Sequence, residues 1–520
     1  MRDFLFMNGT ILTMNHASES AKVILVRGNK IIYVGSEAKA KELATPNVEL
    51  IDLQGQCLMP GFHDSHVHLV QHGFERSQID LSTAKTKEEG LARIKARATE
   101  LPEGSWLLGA GFLMARWGLS SLHKEDLDQV APHHPVLLRS QDHHSAWVNS
   151  KALELAQITS STLNPEGGEI VRDAKGEATG LLLELALHCV GNHLPEPSGD
   201  MIRNAVHVAA EHFASLGITT VHHMAAEPGN YWKTLATEAS QDSYPVRVWA
   251  CIPQRDIEHA AAIGLSTGQG GNNFQIGGAK FFADGALGSL TAHMLEPYEG
   301  TSTSGMALDN IDVLKERFPL AIQADLVPVT HAIGDAANKA VLDALEETRT
   351  LWQPKNMRPR IEHAQHLSKE DIERFAKLGV IPSMQPIHFK FDAKRTAELL
   401  GERIKTTHAW RSLIDSGSVI PLGSDTPVAS PDVIVGLETA TTRQSESGNV
   451  YGSEQCISIQ EALEGYTKYA AYAISWENHS GQLKAGFDAD LVVLSHDPRE
   501  SLDNLTIKAT MKAGQWTFEL

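Results

Sequence analysis

The sequence predicts an α/β protein, most simply a (β/α)8 barrel of the TIM type. Apolar stretches of strand character alternate with helical segments along most of the chain, a pattern typical of parallel sheets with helical crossovers. Residue types that bind metal ions recur where these stretches end. A barrel gathers the carboxyl ends of its strands on one face, so these residues are expected to meet. The predicted strands are 58–68, 217–224, 246–252, 274–282, 327–331, 360–363, 379–384 and 419–423.

The first predicted strand ends on two histidines with metal-binding spacing. His66 and His68 are two residues apart, so in an extended strand both side chains point to the same face and can bind one ion together. Asp64 lies on that face behind them. His63 has the opposite parity, which favours a packing role.

Two further regions are predicted outside the barrel. Short strands separated by Asn-Gly and Gly-Asn turns near the N-terminus, and similar strands near the C-terminus, predict a small β-sandwich built from residues 1–57 and 484–520. About 150 residues separate the first two barrel strands, which is too long for an ordinary crossover. Residues 74–197 are therefore predicted to form an inserted subdomain that covers the active site. The barrel would comprise 58–73 and 198–483.

Composition and charge narrow the class of protein. The 520 residues are 42% hydrophobic and 21% charged, with no low-complexity tract, which is typical of a soluble globular enzyme. The net charge of −19 argues against nucleic acid as a partner. Four widely spaced cysteines without a CxxC pair fit a reducing cytoplasm. Because no apolar run is long enough to span a bilayer, we expect no membrane segment.

Six residues at or just after strand ends form the candidate metal-binding set. Any single histidine among the 25 in this chain is more often a surface or hydrogen-bonded core residue than a ligand. The prediction of a metal site depends on the recurrence of ligand-type residues at the ends of successive strands. The six are His66, His68, Lys280, His331, His363 and Asp425.

The stretches around these residues resemble the amidohydrolase superfamily. The resemblance is closest to amidohydrolase family 3, the branch that contains N-substituted formamide deformylases, and it covers nearly the whole chain. It is carried by PGFHDSHVH at 60–68, GAKFFADG at 278–285, THAIGD at 330–335, RIEHAQ at 360–365, SMQP at 383–386, GSDTPV at 423–428 and DADL at 488–491.

This resemblance implies a metal centre with one or two divalent ions. His66 and His68 would bind the more buried ion together with Asp425, while His331 and His363 would bind a second. Imidazole and carboxylate ligands suit zinc, but they also suit iron, manganese or nickel.

Lys280 would bridge the two ions as an N-carboxylated lysine. A neutral amine adds to carbon dioxide and gives an anionic carbamate, and a barrel interior favours the neutral amine. The alternative is an unmodified lysine paired with Asp284 or another carboxylate, at a site that would hold one metal.

The predicted function is a metal-dependent hydrolase that cleaves an amide, formamide or related C–N bond of a small molecule. Metal-activated water would attack the carbonyl carbon. Asp425 would act as the general base and pass the proton to the leaving nitrogen, or it would serve as a ligand only.

Four residues are candidates for substrate binding. His143 and His144 lie where the resembled family often has a histidine in the inserted subdomain, although a surface loop is the alternative. Glu184 lies in an apolar segment that is predicted to be helical from Leu181, so it faces the cleft or pairs with an arginine. Gln385 follows strand seven and contacts substrate or caps the barrel.

Two other functions stay open. A deaminase of the same superfamily would use one metal, lack the strand-four lysine and carry a glutamate three residues after the strand-five histidine, where this chain has Gly334. A non-catalytic regulatory or binding barrel would be free to lose ligands, yet all six candidates are present. Apolar segments of the insert could support a homodimer.

Overall fold

The structure is a computed structural model, and it divides the chain into two compact units. The larger unit comprises residues 1–69, 209–227 and 232–520, and the smaller unit is built mainly from residues 70–208. The described residues are 3–15, 21–114, 116–119, 121–140, 145–165, 167–225, 227 and 230–519.

Strands and helices alternate through the larger part of the chain. The strands are β1 (Asp3–Met7), β2 (Thr10–Ile11), β3 (Val23–Arg27), β4 (Lys30–Gly35), β5 (Glu49–Asp52), β6 (Cys57–Pro60), β7 (Phe62–Val67), β8 (Ile79–Asp80), β9 (Leu107–Phe112), β10 (Val136–Ser140), β11 (Ser145–Val148), β12 (Gly168–Arg172), β13 (Ala178–Glu184), β14 (Ile218–His223), β15 (Arg247–Pro253), β16 (Phe274–Phe282), β17 (Pro328–Ala332), β18 (Arg360–His363), β19 (Ile381–Ser383), β20 (Leu491–Leu494), β21 (Ile507–Lys512) and β22 (Gln515–Glu519).

The helices fill the intervals between these strands. They are α1 (Glu37–Leu43), α2 (Leu69–Arg76), α3 (Lys87–Glu100), α4 (Lys124–Val130), α5 (Ser150–Leu155), α6 (Leu187–Gly191), α7 (Gly199–Ser215), α8 (Trp232–Ala239), α9 (Ile257–Ala262), α10 (Ile311–Gln323), α11 (Asp335–Glu347), α12 (Arg349–Trp352), α13 (Lys369–Leu378), α14 (Pro386–Leu400), α15 (Trp410–Asp415), α16 (Val433–Thr442), α17 (Ile459–Gly465) and α18 (Lys468–Ala473). Short 3-10 helices cover Gln254–Asp256, Gln353–Lys355, Gly401–Thr406 and Ser453–Gln455. Among the described residues, no helix combines the length and apolarity that a bilayer crossing requires.

Seven parallel strands form a nearly closed barrel in the larger unit. Their order is β19, β18, β17, β16, β15, β14 and β7, so the predicted α/β barrel is confirmed at this level. In place of the predicted eighth strand, 419–423, the structure has a bridging segment, residues 419–426. It pairs Leu422 with Met384 and Thr426 with Val67. Pro421 lies within it and has no N–H to donate, which explains the irregular pairing.

The predicted first strand, 58–68, is two strands that belong to different sheets. β6 pairs with β20 and β7 pairs with β14, and Gly61 lies between them. A Cβ at Gly61 would lie 2.3 Å from Cγ2 of Thr219. Glycine is therefore required where the chain passes from one sheet to the next.

Strands from both ends of the chain pair with each other. One sheet has the order β4, β3, β1 and β5, and the other has the order β2, β6, β20, β21 and β22. Both sheets contribute side chains to one buried cluster, which contains Phe6, Val26, Leu58, Val493 and Met511. The limits of the predicted sandwich domain, 1–57 and 484–520, stay a prediction.

The smaller unit contains a six-stranded sheet in the order β12, β13, β11, β10, β9 and β8. Within it, β12 and β13 pair antiparallel. The predicted helix from Leu181 is wrong, because β13 continues to Glu184 and α6 begins only at Leu187. Leu181 pairs with Trp147 across the sheet, and this tertiary pairing overrides the local helical character.

Asp488 connects the terminal sheets to the barrel through a buried charge cluster. Its carboxylate lies 2.7 Å from Lys30 Nζ and 3.7 Å from Arg247 Nη2, and it accepts a 3.0 Å hydrogen bond from His479 Nδ1. Burial alone would raise the pKa of Asp488, but His479, Arg247 and Lys30 lower it from 3.8 to about 2. A carboxyl group with a lowered folded-state pKa stabilises the protein above its unfolded-state pKa.

We predict that Asp488→Asn lowers the free energy of unfolding by about 1–2 kcal/mol at pH 7. The difference from wild type should shrink as the pH falls below 4 and disappear below pH 2, because the wild-type carboxylate is then protonated as well. Denaturant unfolding at a series of pH values measures this. Asp503→Asn, at an exposed carboxylate, is the matched control, and a pH-independent difference would contradict the prediction.

Candidate metal centre

Three buried side chains converge at the carboxyl end of the barrel. His66 on β7, His363 on β18 and Asp425 in the bridging segment place their ligand-type atoms within 4.8 Å of one another. Oδ1 of Asp425 is 3.2 Å from Nε2 of His66. Two imidazoles and a carboxylate at this separation form a donor set that suits a transition-metal ion.

His68 and His331 lie beside this cluster. Nε2 of His68 is 3.5 Å from Oδ1 of Asp425, and the ring centroid of His331 is 4.6 Å from that of His363. His331 Nε2 donates a 3.1 Å hydrogen bond to the carbonyl of Gly285. The lone pair of His331 that could bind a metal is therefore on Nδ1. The structure thus brings all five predicted histidine and aspartate ligands to one region.

Lys280 enters the same region from the end of β16. It is 1% exposed, and its Nζ has no hydrogen-bond partner among the residues that the structure describes. Burial lowers the pKa of Lys280 against the opposing charges of Glu362 and Asp425. The Asp284 carboxylate is occupied elsewhere, because it accepts the backbone N–H groups of His293, Ile333 and Gly334 at 2.8–2.9 Å.

Glu362 fixes the orientation of His66. Nδ1 of His66 donates to Oε2 of Glu362 at 2.7 Å, so Nε2 is the nitrogen that faces Asp425. Burial would raise the pKa of Glu362, but Arg360 and His66 lower it to about 2. A carboxylate behind a metal-ligating histidine holds its tautomer and increases its basicity.

Arg360 neutralises Glu362 and ties the barrel strands together. Its guanidinium donates to Glu362 Oε1 at 2.9 Å, to His222 Nδ1 at 3.0 Å, to Ser65 O at 2.7 Å and to Ser383 Oγ at 3.0 Å. These contacts reach β7, β14, β18 and β19 in the barrel interior. A buried charge pair is stable only when its hydrogen bonds are satisfied in this way.

Gln385 fixes the tautomer of His363. Its Nε2 donates to the carbonyl of Ser383 at 3.2 Å, so its Oε1 accepts the Nδ1–H of His363 at 2.8 Å. The Nε2 lone pair of His363 is then free for a ligand. The predicted contact of Gln385 with substrate stays a prediction.

Asp64 fastens the bridging segment to β7. Its carboxylate accepts Ser424 N at 2.9 Å, Ser424 Oγ at 2.6 Å and His66 N at 3.1 Å. Burial is the main cause that raises the pKa of Asp64 to about 6. Gly423, the residue before Ser424, must be glycine, because a Cβ there would lie 2.7 Å from Asp64 Oδ1.

Burial would lower the pKa of His66, but Asp425 and Glu362 raise it above its ordinary value, whereas burial keeps the other imidazoles of the site neutral. Burial lowers the pKa of His68 to about 4 and that of His331 to about 3, and it lowers the pKa of His363 well below its ordinary value. Neutral imidazoles are the form that binds metals. Burial would raise the pKa of Asp425, yet His66 and His363 hold it well below the ordinary value, so the carboxylate is ionised.

Two of the three clustered residues have strained backbones. His363 has φ 74° and Asp425 has φ 62°, in the left-handed region that costs non-glycine residues about 1–3 kcal/mol each. Such strain persists where the surrounding structure fixes the residue, and it is common at functional sites.

The other predicted site residues lie outside this cluster or are not among the residues that the structure describes. His143 and His144 are not among the described residues. Glu184 is exposed at the end of β13, so its predicted placement in an apolar helix is wrong. His63 pairs with Ser480 Oγ at 3.0 Å, in keeping with the packing role expected for it.

The sequence analysis assigns no role to Glu362, Arg360 and His388. In the structure, all three lie next to the metal-binding cluster or its supporting residues. Arg360 and Glu362 are two residues apart on one strand, so their shared face was a detectable signal for a buried ion pair. His388 lies in α14, where no strand-end pattern could indicate it. Its Nε2 is 3.7 Å from Asp425 Oδ2.

Known proteins share this sequence and this fold. The sequence model of the amidohydrolase family matches residues 49–518. The chain belongs to the amidohydrolase family. It is 34% identical to a putative amidohydrolase, YtcJ, of Bacillus subtilis over 99% of both chains. It is 28% identical to an N-substituted formamide deformylase of Arthrobacter pascens, over 96% of this chain and 94% of that protein.

A solved structure has the same fold. An uncharacterized metal-dependent hydrolase from Pyrococcus horikoshii superposes with a TM-score of 0.79 at 28% identity, over 96% of this chain and 98% of that chain. The amidohydrolase family and these relatives support a hydrolase and imply metal dependence.

We predict that Glu362→Gln weakens divalent-ion binding by about 10–100-fold. The amide oxygen still accepts the His66 Nδ1–H, but the charge that raises the basicity of the imidazole is lost. Competition with a chelator measures the affinity. Glu373→Gln, on an exposed helix face, is the control, and unchanged affinity in a folded Glu362→Gln protein would contradict the prediction.

Proposed function

We propose that this protein is a metal-dependent hydrolase that cleaves an amide, formamide or related C–N bond of a small molecule. The observation that carries the proposal is the convergence of His66, His363 and Asp425 within 4.8 Å, beside His68. The deformylase relative acts on N-substituted formamides, as its name states. That activity supports the C–N bond as the target.

The cluster would hold the metal through atoms that the structure leaves free. His66 and His363 have their Nδ1 atoms committed to Glu362 and Gln385, so their Nε2 atoms would bind the ion with Asp425. When bound, a divalent ion such as zinc polarises a carbonyl group and lowers the pKa of water. In a centre with two ions, Nε2 of His363 would instead join His331 and a bridging group to hold the second ion.

Asp425 is the proposed general base. Oδ1 faces the Nε2 atoms of His66 and His68 at 3.2 and 3.5 Å, and Oδ2 faces His388. The ionised carboxylate accepts a proton from the attacking water and delivers it to the leaving nitrogen, which then departs as a neutral amine.

Lys280 is the proposed bridging group in carboxylated form. A buried amine with no hydrogen-bond partner among the described residues and a lowered pKa is available as the neutral nucleophile that adds to carbon dioxide. The added carboxylate would supply two oxygen atoms that could bind metal ions. The buried Nζ of Lys280, which is unbonded among the described residues, thus supports the proposal of a binuclear centre.

The remaining features of the proposal concern the surroundings of the site. His143, His144, Glu184 and Gln385 are the proposed substrate contacts. A cytoplasmic location and a homodimer complete the proposal. Small neutral amides fit a site whose arginine, Arg360, is buried and paired with Glu362.

We predict that purified protein hydrolyses members of a panel of N-formyl and N-acyl amines, and that Asp425→Asn lowers kcat/KM by at least about 100-fold. Amine release and metal content are measured on the same samples. The control is Asp415→Asn, at an exposed carboxylate that pairs with Arg411. Full activity in the Asp425 variant would refute its role as the base.

A separate prediction concerns Lys280. Native mass spectrometry should show the added mass of one carboxyl group on wild-type protein and its absence from Lys280→Ala. Short carboxylic acids should partly restore the activity of Lys280→Ala, because they occupy the space of the carbamate. Absence of the added mass from fully metallated, active wild-type protein would contradict the carboxylation.

A further inference from the structure

His388 lies beside the metal centre but outside its three-residue cluster. It is the third residue of α14 and is 8% exposed. Its ring stacks on His363 with the centroids 5.9 Å apart and the planes inclined by 20°. Nε2 is buried, has no hydrogen-bond partner among the described residues and lies 3.7 Å from Oδ2 of Asp425.

The two oxygens of Asp425 therefore have different surroundings. Oδ1 lies toward His66 and His68, while Oδ2 points away from them toward His388. The terminal torsion of an aspartate is broad and roughly two-fold. A carboxylate held through only one oxygen could rotate and lose the direction in which it accepts and delivers a proton.

The helix that carries His388 is firmly anchored. The ring of Phe389 lies 3.9 Å from the guanidinium of Arg443, and Lys390 Nζ is 3.0 Å from Glu438. The α14 helix begins at Pro386, immediately after Gln385, which bonds His363. An imidazole on such a rigid element can fix the group that it contacts.

We propose that His388 is a positioning residue for Asp425. The Nε2–H of its imidazole donates to Oδ2 and keeps Oδ1 directed at the ligand cluster. The present 3.7 Å separation is longer than a hydrogen bond, and it shortens when the site is filled, as such contacts commonly do. This inference rests on the proposed function, because it gives Asp425 its orientation as base.

Two substitutions at His388 separate positioning from packing. His388→Gln retains a donor near the place of Nε2, whereas His388→Leu keeps apolar volume without a donor. With N-butylformamide as the substrate, kcat of the leucine variant should fall by about 10–100-fold while KM stays near wild type. The glutamine variant should recover most of this loss, and both variants should keep the wild-type metal content.

Cobalt-substituted protein provides a measurement that does not depend on hydrolysis. The visible absorption bands of bound Co²⁺ report the ligand arrangement, so His388→Leu should shift them and His388→Gln should not. His366→Gln is the matched control, because His366 is also buried but bonds Thr407.

The outcomes are distinct. Wild-type kcat and an unshifted cobalt spectrum in His388→Leu overturn the positioning role, as does a change in KM alone. Metal loss in both variants makes His388 a ligand and also overturns it. A wild-type protein inactive on the whole amide panel refutes the proposed function alone, and the cobalt spectra then decide the role of His388.

Discussion

The closure of the barrel between its first strand and its last segment is the constraint on which the site depends. Asp425 N donates to the carbonyl of His66 at 2.7 Å, and Ser65 N donates to the carbonyl of Leu422 at 3.1 Å. These bonds bring a carboxylate from the end of the chain to a histidine near its start. Gly423 is essential to this approach, since a side chain there would collide with Asp64.

A buried layer of charge below the cluster complements this closure. Arg360 and Glu362 are fully buried, which is costly unless every donor and acceptor is satisfied. Arg360 meets this condition by hydrogen bonds to residues on four strands. Glu362 in turn accepts a 2.7 Å hydrogen bond from His66 and orients its ring. The same burial keeps His68 and His363 neutral. The interior thus leaves the lone pairs of these two imidazoles available to a metal ion.

The sequence could predict the barrel and its ligand-type residues because both follow from local patterns. Strand parity places His66 and His68 together, and strand ends indicate His331 and His363. The division of the first strand at Gly61 was not predictable, because it depends on the distant Thr219. Likewise, the segment from Leu181 has local helical character, and its pairing with Trp147 on β11 is a tertiary contact that local periodicity does not indicate. His388 was missed because its proximity to Asp425 arises only when α14 is in place.

The most direct test of a metal centre at these strand ends is anomalous diffraction from crystals of the protein grown with zinc. The account predicts a peak within coordination distance of Nε2 of His66 and the carboxylate of Asp425, with His363 as a further ligand. A peak elsewhere on the barrel, or none at these residues when zinc is bound in solution, would contradict it.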